Sequence, residues 1–371
     1  MPDSKTIAVI GGSIAGLEFA RRLKELDRED RYELTVYEEH DKVGDGVRCA
    51  EGWVYSPESG RPPGECVEME VQEGILRYLD DSYKVVHQLR TPLSGRAWVI
   101  SRRAYQSYLA ELCHDRGARI KTGLRQTIHH LPSSVSLIVD ASGCPSQFQR
   151  EFEKGPRSAS VGFQHDVLGD FSGLCGRMIT DLTAHAFGFW IFPKGEKRAN
   201  VGIWWQEGVL VGHPRERLRE YMEAHAPSGS RVFRSCGGFI GSELQHPLYH
   251  RQAKTVLVGD AAGLAEPFSG EGISSAIISA RILADCVTTG SLELYELRVL
   301  AALGPKLEAG RLTRSLWRTA PYGTLISAMS SLQGMAAVDR IPHLEERLRH
   351  LTSSASGARR REASQAPPSF P

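Results

Sequence analysis

The chain has 371 residues, of which 24% are charged and 41% are hydrophobic, and its formal net charge is +1 at pH 7. This composition is typical of a globular protein with two closely joined domains or one domain with a large insertion, and the near-zero charge argues against nucleic-acid binding. The seven cysteines include no C-x-x-C pair and no apolar run approaches the roughly 18 residues of a membrane span, so we expect no disulfide framework, no zinc site and no spanning helix.

A glycine turn between a strand and a helix is predicted close to the amino end, which leaves no room for a signal peptide. The apolar run 6–10 is followed by the segment Gly-Gly-Ser-Ile-Ala-Gly and then by apolar residues at helical spacing. The first glycine permits the tight turn, the last lets the helix approach the strand, and the helix amino terminus favours a pyrophosphate. The candidate cofactor-binding residues are Gly11, Ser13, Ile14, Ala15 and Gly16, with Ser13 in the place of the usual middle glycine.

Three further segments fit the same dinucleotide site. A second strand, 33–38, ends in Glu38, where an acid can accept hydrogen bonds from a ribose. The residues 98–103 lead into a predicted helix over 104–116 and a strand from Gly117, and Arg102 at the helix start is a candidate ligand for the cofactor phosphates or ribose. The strand that includes Asp140 ends in a glycine turn and predicts a third approach to the dinucleotide.

The middle of the chain is predicted to form strands at 160–165, 186–192 and 200–205, with one amphipathic helix at 215–225. The last two strands flank a Pro-Lys-Gly corner and form an aromatic hairpin with one flat, apolar face. Such a face can cover a planar cofactor ring or fill a sheet core. Its aromatic residues Phe187, Trp190 and Phe192 are the candidate substrate-binding residues.

A second cofactor signature is predicted near the carboxyl end. The segment 255–263 contains a buried strand that ends in Gly259 and Asp260, and Gly270, Gly272 and Ile273 open a long helix of small residues. In FAD enzymes of the glutathione-reductase-like class, an Asp in this position accepts hydrogen bonds from the ribityl chain and the helix points at the flavin. Two such signatures in this order indicate FAD rather than NAD alone.

These motifs together resemble the geranylgeranyl reductase family of flavoproteins, from about residue 5 to about residue 290. The family pattern is matched by Val47-Arg-Cys-Ala-Glu-Gly52, by the aromatic hairpin with its Ala-Asn-Val-Gly strand, and by the Gly259-Asp260 segment with Ile273. This chain has Ala50 in place of the family's glycine, and a phenylalanine in place of the tyrosine ahead of the hairpin tryptophan.

The resemblance implies hydride delivery from flavin to a carbon–carbon double bond of a prenyl chain, with a proton added to the neighbouring carbon. It places Arg48 and Cys49 against the flavin, with Cys49 as the first candidate for a catalytic side chain and Glu51 as a second that relays a proton or positions water. The nearest alternative is an FAD-dependent monooxygenase of a hydrophobic or aromatic substrate. A halogenase is disfavoured because the Trp-x-Trp-x-Ile-Pro signature is missing, and a non-catalytic flavin module is the remaining alternative.

The expected fold is α/β, with a Rossmann-like three-layer FAD-binding domain (1–55, 97–150 and 252–290), an inserted antiparallel-sheet substrate domain (56–96 and 151–251), a C-terminal helical region (291–351) and a disordered tail (352–371). Within the helical region, helices are predicted over 303–316 and 322–338. The second carries an apolar stripe, which favours internal packing over contact with a membrane. The expected partners are a hydrophobic or lipid substrate and an electron donor, which is ferredoxin, a flavin reductase or NAD(P)H. A cytoplasmic location is expected, with peripheral membrane contact left open.

Overall fold

The computed structural model describes residues 5–153, 160–209 and 212–319. The strands in chain order are β1 (Lys5–Ile10), β2 (Tyr32–Tyr37), β3 (Gly52–Val54), β4 (Val67–Glu70), β5 (Glu73–Leu79), β6 (Val85–Pro92), β7 (Ala97–Ile100), β8 (Arg119–Lys121), β9 (Leu137–Asp140), β10 (Ser160–Leu168), β11 (Arg177–Thr183), β12 (Phe187–Pro193), β13 (Arg198–Gln206), β14 (Arg231–Ile240), β15 (Tyr249–His250) and β16 (Thr255–Leu257). The α-helices are α1 (Ile14–Leu26), α2 (Arg102–Asp115), α3 (Gln147–Phe152), α4 (Pro214–His225), α5 (Ile273–Thr288) and α6 (Tyr295–Thr319).

The first sheet has the strand order β15-β16-β9-β1-β2-β8 and is parallel except for the β15–β16 pair. All four residues of β9 and the last four of β1 are buried, as expected for strands that are covered on both faces. Helix α1 lies against both α5 and α2. The glycine turn after β1 and the turn after β16 therefore meet at the carboxyl edge of this sheet, where ligands bind in open parallel sheets.

The second sheet has the order β14-β10-β13-β12-β11-β5-β6. The strands predicted at 160–165, 186–192 and 200–205 are all present in it, and so is the predicted helix, as α4. The sheet is antiparallel except for the β11–β5 pair, which is parallel. One face carries a hydrophobic cluster that includes Leu218 and Tyr221 of α4, and the opposite face is turned towards the first sheet's glycine turns.

A third, three-stranded sheet has the order β3-β7-β4. Trp98 pairs with Trp53 of β3 and with Glu70 of β4, so the strand ahead of α2 does not join the parallel sheet as the predicted strand–helix–strand unit implied. This sheet also combines strands from both sides of the expected boundary at residues 55–56.

Two other predicted elements differ in extent from the observed ones. The strand predicted to end in Gly259 and Asp260 ends at Leu257, and a 3-10 helix, Gly259–Ala262, follows it. The predicted helix 303–316 lies inside the longer α6. The predicted helix 322–338, with its stripe of Leu325, Ile326, Met329, Leu332 and Met335, and the tail from Thr352 lie outside the described residues.

None of the described helices is both long enough and apolar enough to cross a membrane. All seven cysteines lie in the described segments, and each is a free thiol.

Candidate active site

A cavity of about 310 Å³ lies between the glycine turns of the first sheet and the inner face of the second. It is lined by many of the residues that the sequence singled out: Ser13, Ile14, Ala15, Arg48, Cys49, Glu51, Arg102, Trp190, Phe192, Asp260, Gly270, Gly272 and Ile273. The fold therefore brings together segments that are more than 200 residues apart in the chain. Six other candidate residues do not line this cavity, and the reason differs from one to the next: Gly11, Gly16, Glu38, Asp140, Phe187 and Gly259.

The turn after β1 has the geometry that its glycines predict. Gly11 has φ +104°, and a Cβ atom there would lie 2.5 Å from the carbonyl oxygen of Ala141. A Cβ atom on Gly16 would collide with the carbonyl oxygen of Gly11. Ser13 caps α1, since its Oγ accepts a hydrogen bond from the Gly16 N–H at 3.3 Å and donates one to Ala141 O at 2.9 Å. The two glycines thus act through close backbone approach, while Ser13, Ile14 and Ala15 face the cavity.

Glu38 follows β2 and lies beside the glycine turn, outside the cavity lining. Its Oε2 accepts a hydrogen bond from the Gly12 N–H at 2.9 Å, and its Oε1 accepts one from the His40 N–H at 2.9 Å. The His40 Nδ1 lies 2.5 Å from the same Oε1 atom. The sequence analysis did not single out His40. Its position two residues after Glu38 could have indicated that it contacts this acid.

The Asp140 carboxylate does not face the cavity, which leaves the backbone of the turn after β9 as the predicted approach to the dinucleotide. The side chain is fully buried. It accepts hydrogen bonds from the N–H and Oγ of Ser142 and from the N–H of Phe148, at 2.6 to 3.1 Å. Burial raises the pKa of this carboxyl, and these hydrogen bonds oppose the rise. Asp140 therefore stabilises the loop after β9, and only the neighbouring backbone at Ala141 and Gly143 faces the cavity.

Asp260 and the amino terminus of α5 form the opposite wall. Asp260 lines the cavity, and burial raises the pKa of its carboxyl while Arg102 lowers it to a smaller extent. Gly259 has φ +58°, and a Cβ atom on it would lie 3.0 Å from the Ala15 Cβ. The glycine thus allows the 3-10 turn to approach α1, which places the Asp260 carboxyl in the cavity.

Arg102, at the first position of α2, carries an unused donor. Its Nε atom is buried and makes no hydrogen bond within the described part of the chain. A buried donor without an acceptor costs about 1–3 kcal/mol, so such an atom in a cavity wall indicates a missing acceptor. The phosphate, ribose and ribityl oxygens of a flavin dinucleotide are acceptors of this kind, and the site therefore fits FAD.

The loop over residues 48–51 separates the cofactor turns from the second sheet. The Cys49 carbonyl accepts a hydrogen bond from Gln164 Nε2 at 3.0 Å, and the Cys49 Sγ accepts one from the Glu51 N–H at 3.2 Å. Burial raises the pKa of the Cys49 thiol, and the nearby Arg102 guanidinium lowers it to a smaller extent. The net pKa shift is upward, so the thiol keeps its proton at neutral pH.

Glu51 has a different surrounding from Cys49, although both line the cavity. It adopts φ +66°, and its Oε1 accepts a hydrogen bond from the Arg102 N–H at 2.7 Å. Its Oε2 forms an ion pair with Lys194, which belongs to the Pro-Lys-Gly corner of the aromatic hairpin, and the two side chains are only 9% and 11% exposed. The carboxylate therefore joins the loop to both α2 and the hairpin. The sequence analysis did not single out Lys194.

The hairpin of β12 and β13 provides the apolar floor of the cavity. Residues that pair directly share a face, so Trp190 lies over Gly202 and Trp204 lies over Gly188. A Cβ atom at either glycine would overlap the opposing indole ring. Asn200, fully buried on the same face, accepts a hydrogen bond from Trp190 Nε1 at 2.6 Å. The Ala-Asn-Val-Gly strand thus fixes the indole in place.

Phe187 lies on the other face of the hairpin and does not line the cavity, so the structure does not bring it to the position expected of a substrate contact. It is buried together with Phe189 and Ile191 in the cluster under α4. Successive side chains of a strand alternate between faces, which separates Phe187 from Trp190 and Phe192. This alternation was visible in the sequence. The same rule identifies Trp204, which shares the inner face with Trp190 and was not among the candidate residues.

No family model matches the chain. It is similar to the digeranylgeranylglycerophospholipid reductase of Methanocella arvoryzae, with 25% identity over 366 residues that cover 88% of this chain and 89% of the relative. A second relative of that name, numbered 1, from Methanococcoides burtonii is 27% identical over 358 residues, which cover 83% of this chain and 82% of the relative.

Solved structures share the fold. A geranylgeranyl bacteriochlorophyll reductase-like protein from Thermoplasma acidophilum superposes with a TM-score of 0.74 at 19% identity, covering 94% of this chain and 99% of that one. A single-substitution mutant of the halogenase PltM, in complex with FAD, superposes with a TM-score of 0.69 at 13% identity. The match covers 99% of this chain and 93% of the halogenase chain. The expected α/β fold of FAD-dependent enzymes is confirmed. The sequence relatives are named reductases and the cavity unites the expected motifs, so the chain is similar to the geranylgeranyl reductase family in sequence and to FAD-dependent enzymes in fold.

Proposed function

We propose that this protein uses reduced FAD to reduce carbon–carbon double bonds of a hydrophobic isoprenoid substrate, such as a prenyl lipid. One observation carries the proposal: a single cavity is lined on one side by the cofactor turns, from Ser13 to Ala15 and from Gly270 to Ile273, and on the other by Trp190 and Phe192. The name of the sequence relatives supports the isoprenoid substrate.

The cofactor is held by groups that the fold has already assembled. The free N–H groups at the start of α1 suit the pyrophosphate, and Glu38 at the end of β2 suits the adenosine ribose. The unpaired Nε of Arg102 suits a phosphate, ribose or ribityl oxygen, and the Asp260 carboxyl suits the ribityl hydroxyls. When bound and reduced, FAD supplies a hydride to one alkene carbon.

The side chains of the cavity supply the rest of the reaction. An unactivated alkene develops no oxyanion, so the protein acts mainly by holding the double bond in place in a dry site and by donating a proton. Trp190 and Phe192 exclude water and orient the chain. Cys49 holds its proton at neutral pH and donates it to the second alkene carbon, and the Arg102 guanidinium stabilises the thiolate that forms. Solvent then returns the proton to the thiolate.

An anaerobic reoxidation experiment tests the proposal. The purified protein is reconstituted with FAD, reduced chemically and mixed with a geranylgeranyl phospholipid or with its fully saturated counterpart, while the flavin absorbance is followed. We expect reoxidation by the unsaturated lipid alone, with a product two mass units heavier per reduced bond. Reduced flavin that is stable to every prenyl lipid, but that reacts with oxygen to hydroxylate an aromatic compound, would instead establish the monooxygenase alternative.

A further inference from the structure

The inner end of the cavity is closed by a wall one side chain thick. Trp204 and Phe268 line the main cavity, and the same two residues line a small cleft of about 10 Å³ on its far side. The cleft is bordered by Ala186, Gln206 and Arg318, among others. Gln206 Oε1 accepts a hydrogen bond from Arg318 Nη1 at 2.7 Å at an exposed position. The cleft therefore leads from the back of the wall towards the surface.

The wall is fixed in place from several directions. The Trp204 ring lies over Gly188, where a side chain would overlap it. Its centroid is 6.1 Å from that of Trp190 and 5.8 Å from that of Trp317 in α6. Trp317 Nε1 donates a hydrogen bond to Thr183 O at 2.8 Å, and its ring contacts Phe268 edge-on at 5.8 Å. These contacts hold the indole of Trp204 in place between the cavity and the cleft.

The volume in front of this wall is small for the ligands that it must hold. Small-molecule sites span roughly 300–1,000 Å³, and the 310 Å³ of this cavity lies at the lower limit. The same volume is lined by Asp260 and Gly270, next to which the flavin end of the cofactor is expected. The space left for substrate is therefore limited to a short apolar segment.

We propose that Trp204, backed by Trp317 and Phe268, limits the length of the apolar chain that can enter the site. This inference rests on the proposed function for the identity of the chain as isoprenoid, but the length limit itself follows from the wall. Removal of the indole joins the main cavity to the cleft. A longer chain then passes between β13 and α6 in place of the ring.

The test measures binding of unreactive chains. Saturated n-alkanols of increasing length, from octanol to eicosanol, displace anilinonaphthalene sulfonate from the flavin-loaded protein. In the wild type we expect affinity to rise with chain length and then to stop rising at a defined length. In Trp204→Ala the limit should move to longer alkanols, with a gain of about tenfold or more for the longest of them relative to the shortest. The gain should be smaller in Trp204→Leu.

Trp205→Ala is the matched control. Trp205 is the next residue of β13, and its side chain packs in the cluster on the opposite face of the sheet. The Trp205→Ala substitution removes the same side-chain volume as Trp204→Ala and should leave the length limit unchanged. If thermal melting shows that Trp204→Ala does not fold, Trp204→Leu and Phe268→Ala provide the same comparison.

A length profile identical to the wild type in a folded Trp204→Leu or Phe268→Ala variant would overturn the inference. Because the alkanols carry no double bond, the result is independent of alkene reduction. A shifted limit in a protein that fails to reduce any prenyl lipid would leave the wall in place and refute the proposed function alone.

Discussion

Cys49 combines a place in the cavity wall with a thiol that keeps its proton. Its backbone is held by Gln164 on one side and its sulfur by the Glu51 N–H on the other, so the thiol has a defined position. Glu51, two residues later, uses both carboxylate oxygens in contacts with Arg102 and Lys194. At the scale of single residues, these contacts favour Cys49 as the proton donor and Glu51 as the anchor of the loop.

Substitution of Cys49 tests the proton-donor role. Cys49→Ala should slow anaerobic reoxidation of reduced flavin by an unsaturated lipid by roughly 10²-fold, because a positioned acid contributes about 10²–10⁴ to the rate, while FAD affinity stays unchanged. Since burial raises the pKa of the thiol above its ordinary 9.0, the wild-type rate should stay constant through neutral pH and decline only at higher pH. Stopped-flow absorbance measures both effects.

Cys236→Ala is the control for this comparison. Cys236 is a half-buried cysteine of β14 that does not line the main cavity. Its loss should leave the rate at the wild-type level. Equal rates in all three proteins would make Cys49 a bystander.

Arg102 and Arg103 are adjacent in the chain, but the Arg102 Nε atom is buried and the Arg103 side chain is exposed. The Nε of Arg102 is buried without a partner, whereas Arg103 is 67% exposed and lies 2.9 Å from Asp45. Arg102→Met should weaken FAD retention by about tenfold to a hundredfold, as expected for the loss of a charge-assisted hydrogen bond of roughly 1.5–3 kcal/mol. Arg103→Met should change it little. Fluorescence of released flavin on dilution measures both, and equal retention would contradict the assignment.

At the scale of elements, the aromatic hairpin depends on two glycines that make room for two indoles. Gly188 faces Trp204 and Gly202 faces Trp190 across the β12–β13 pair. This reciprocal arrangement makes an apolar surface from two large rings that are tilted by 44° to each other. A glycine inside a strand usually weakens it, and here it marks the close approach of a ring.

Gly202→Ala should therefore destabilise the protein. The added methyl group overlaps the Trp190 ring, and overpacking of this kind costs about 1–3 kcal/mol. Gly173→Ala is the control, because a Cβ atom there meets nothing within 4 Å. Urea unfolding followed by circular dichroism measures both. A Gly202→Ala variant as stable as Gly173→Ala would mean that the indole moves without cost.

At the scale of the whole molecule, a buried ion pair connects the loop after β2 with the hairpin of the second sheet. Glu51 and Lys194 are 143 residues apart in the chain and nearly buried. Removal of one partner from a buried pair leaves an uncompensated charge, whereas loss of the whole pair costs much less. The pair is therefore a point at which the stability of the two sheets is coupled.

Lys194→Met should lower the free energy of unfolding by about 3–5 kcal/mol, and the double variant with Glu51→Gln should recover part of this loss, because Glu68, 3.9 Å from Lys194 Nζ, still loses its neighbour. Arg219→Met provides the comparison, because Arg219 and Glu223 on α4 are 61% and 65% exposed and such pairs contribute about 0–1 kcal/mol. Denaturant unfolding measures all of these variants. Additive losses at Lys194 and Glu51 would show that the pair does not couple the sheets.

Local patterns in the sequence by themselves determined the glycine turn after β1 and the aromatic hairpin. The turn at Gly11 to Gly16 and the hairpin at Trp190 were predictable because backbone conformation and strand alternation are set within a few residues. Ser13 and Asp260 line one cavity because both follow strands of the parallel sheet, whose carboxyl ends meet at one edge, whereas Arg102 reaches the same cavity from the three-stranded sheet.

The tertiary structure alone decided which polar groups face the cavity and which are used within the protein. The Asp140 carboxylate turns into its own loop, and Glu51 pairs with Lys194, because hydrogen bonding of a buried charge depends on neighbours that are distant in the chain. The wall of Trp204 and Trp317 likewise requires β13 and α6 to meet across more than 100 residues. Periodicity shows that a side chain is buried, but its partners are set by how the elements pack.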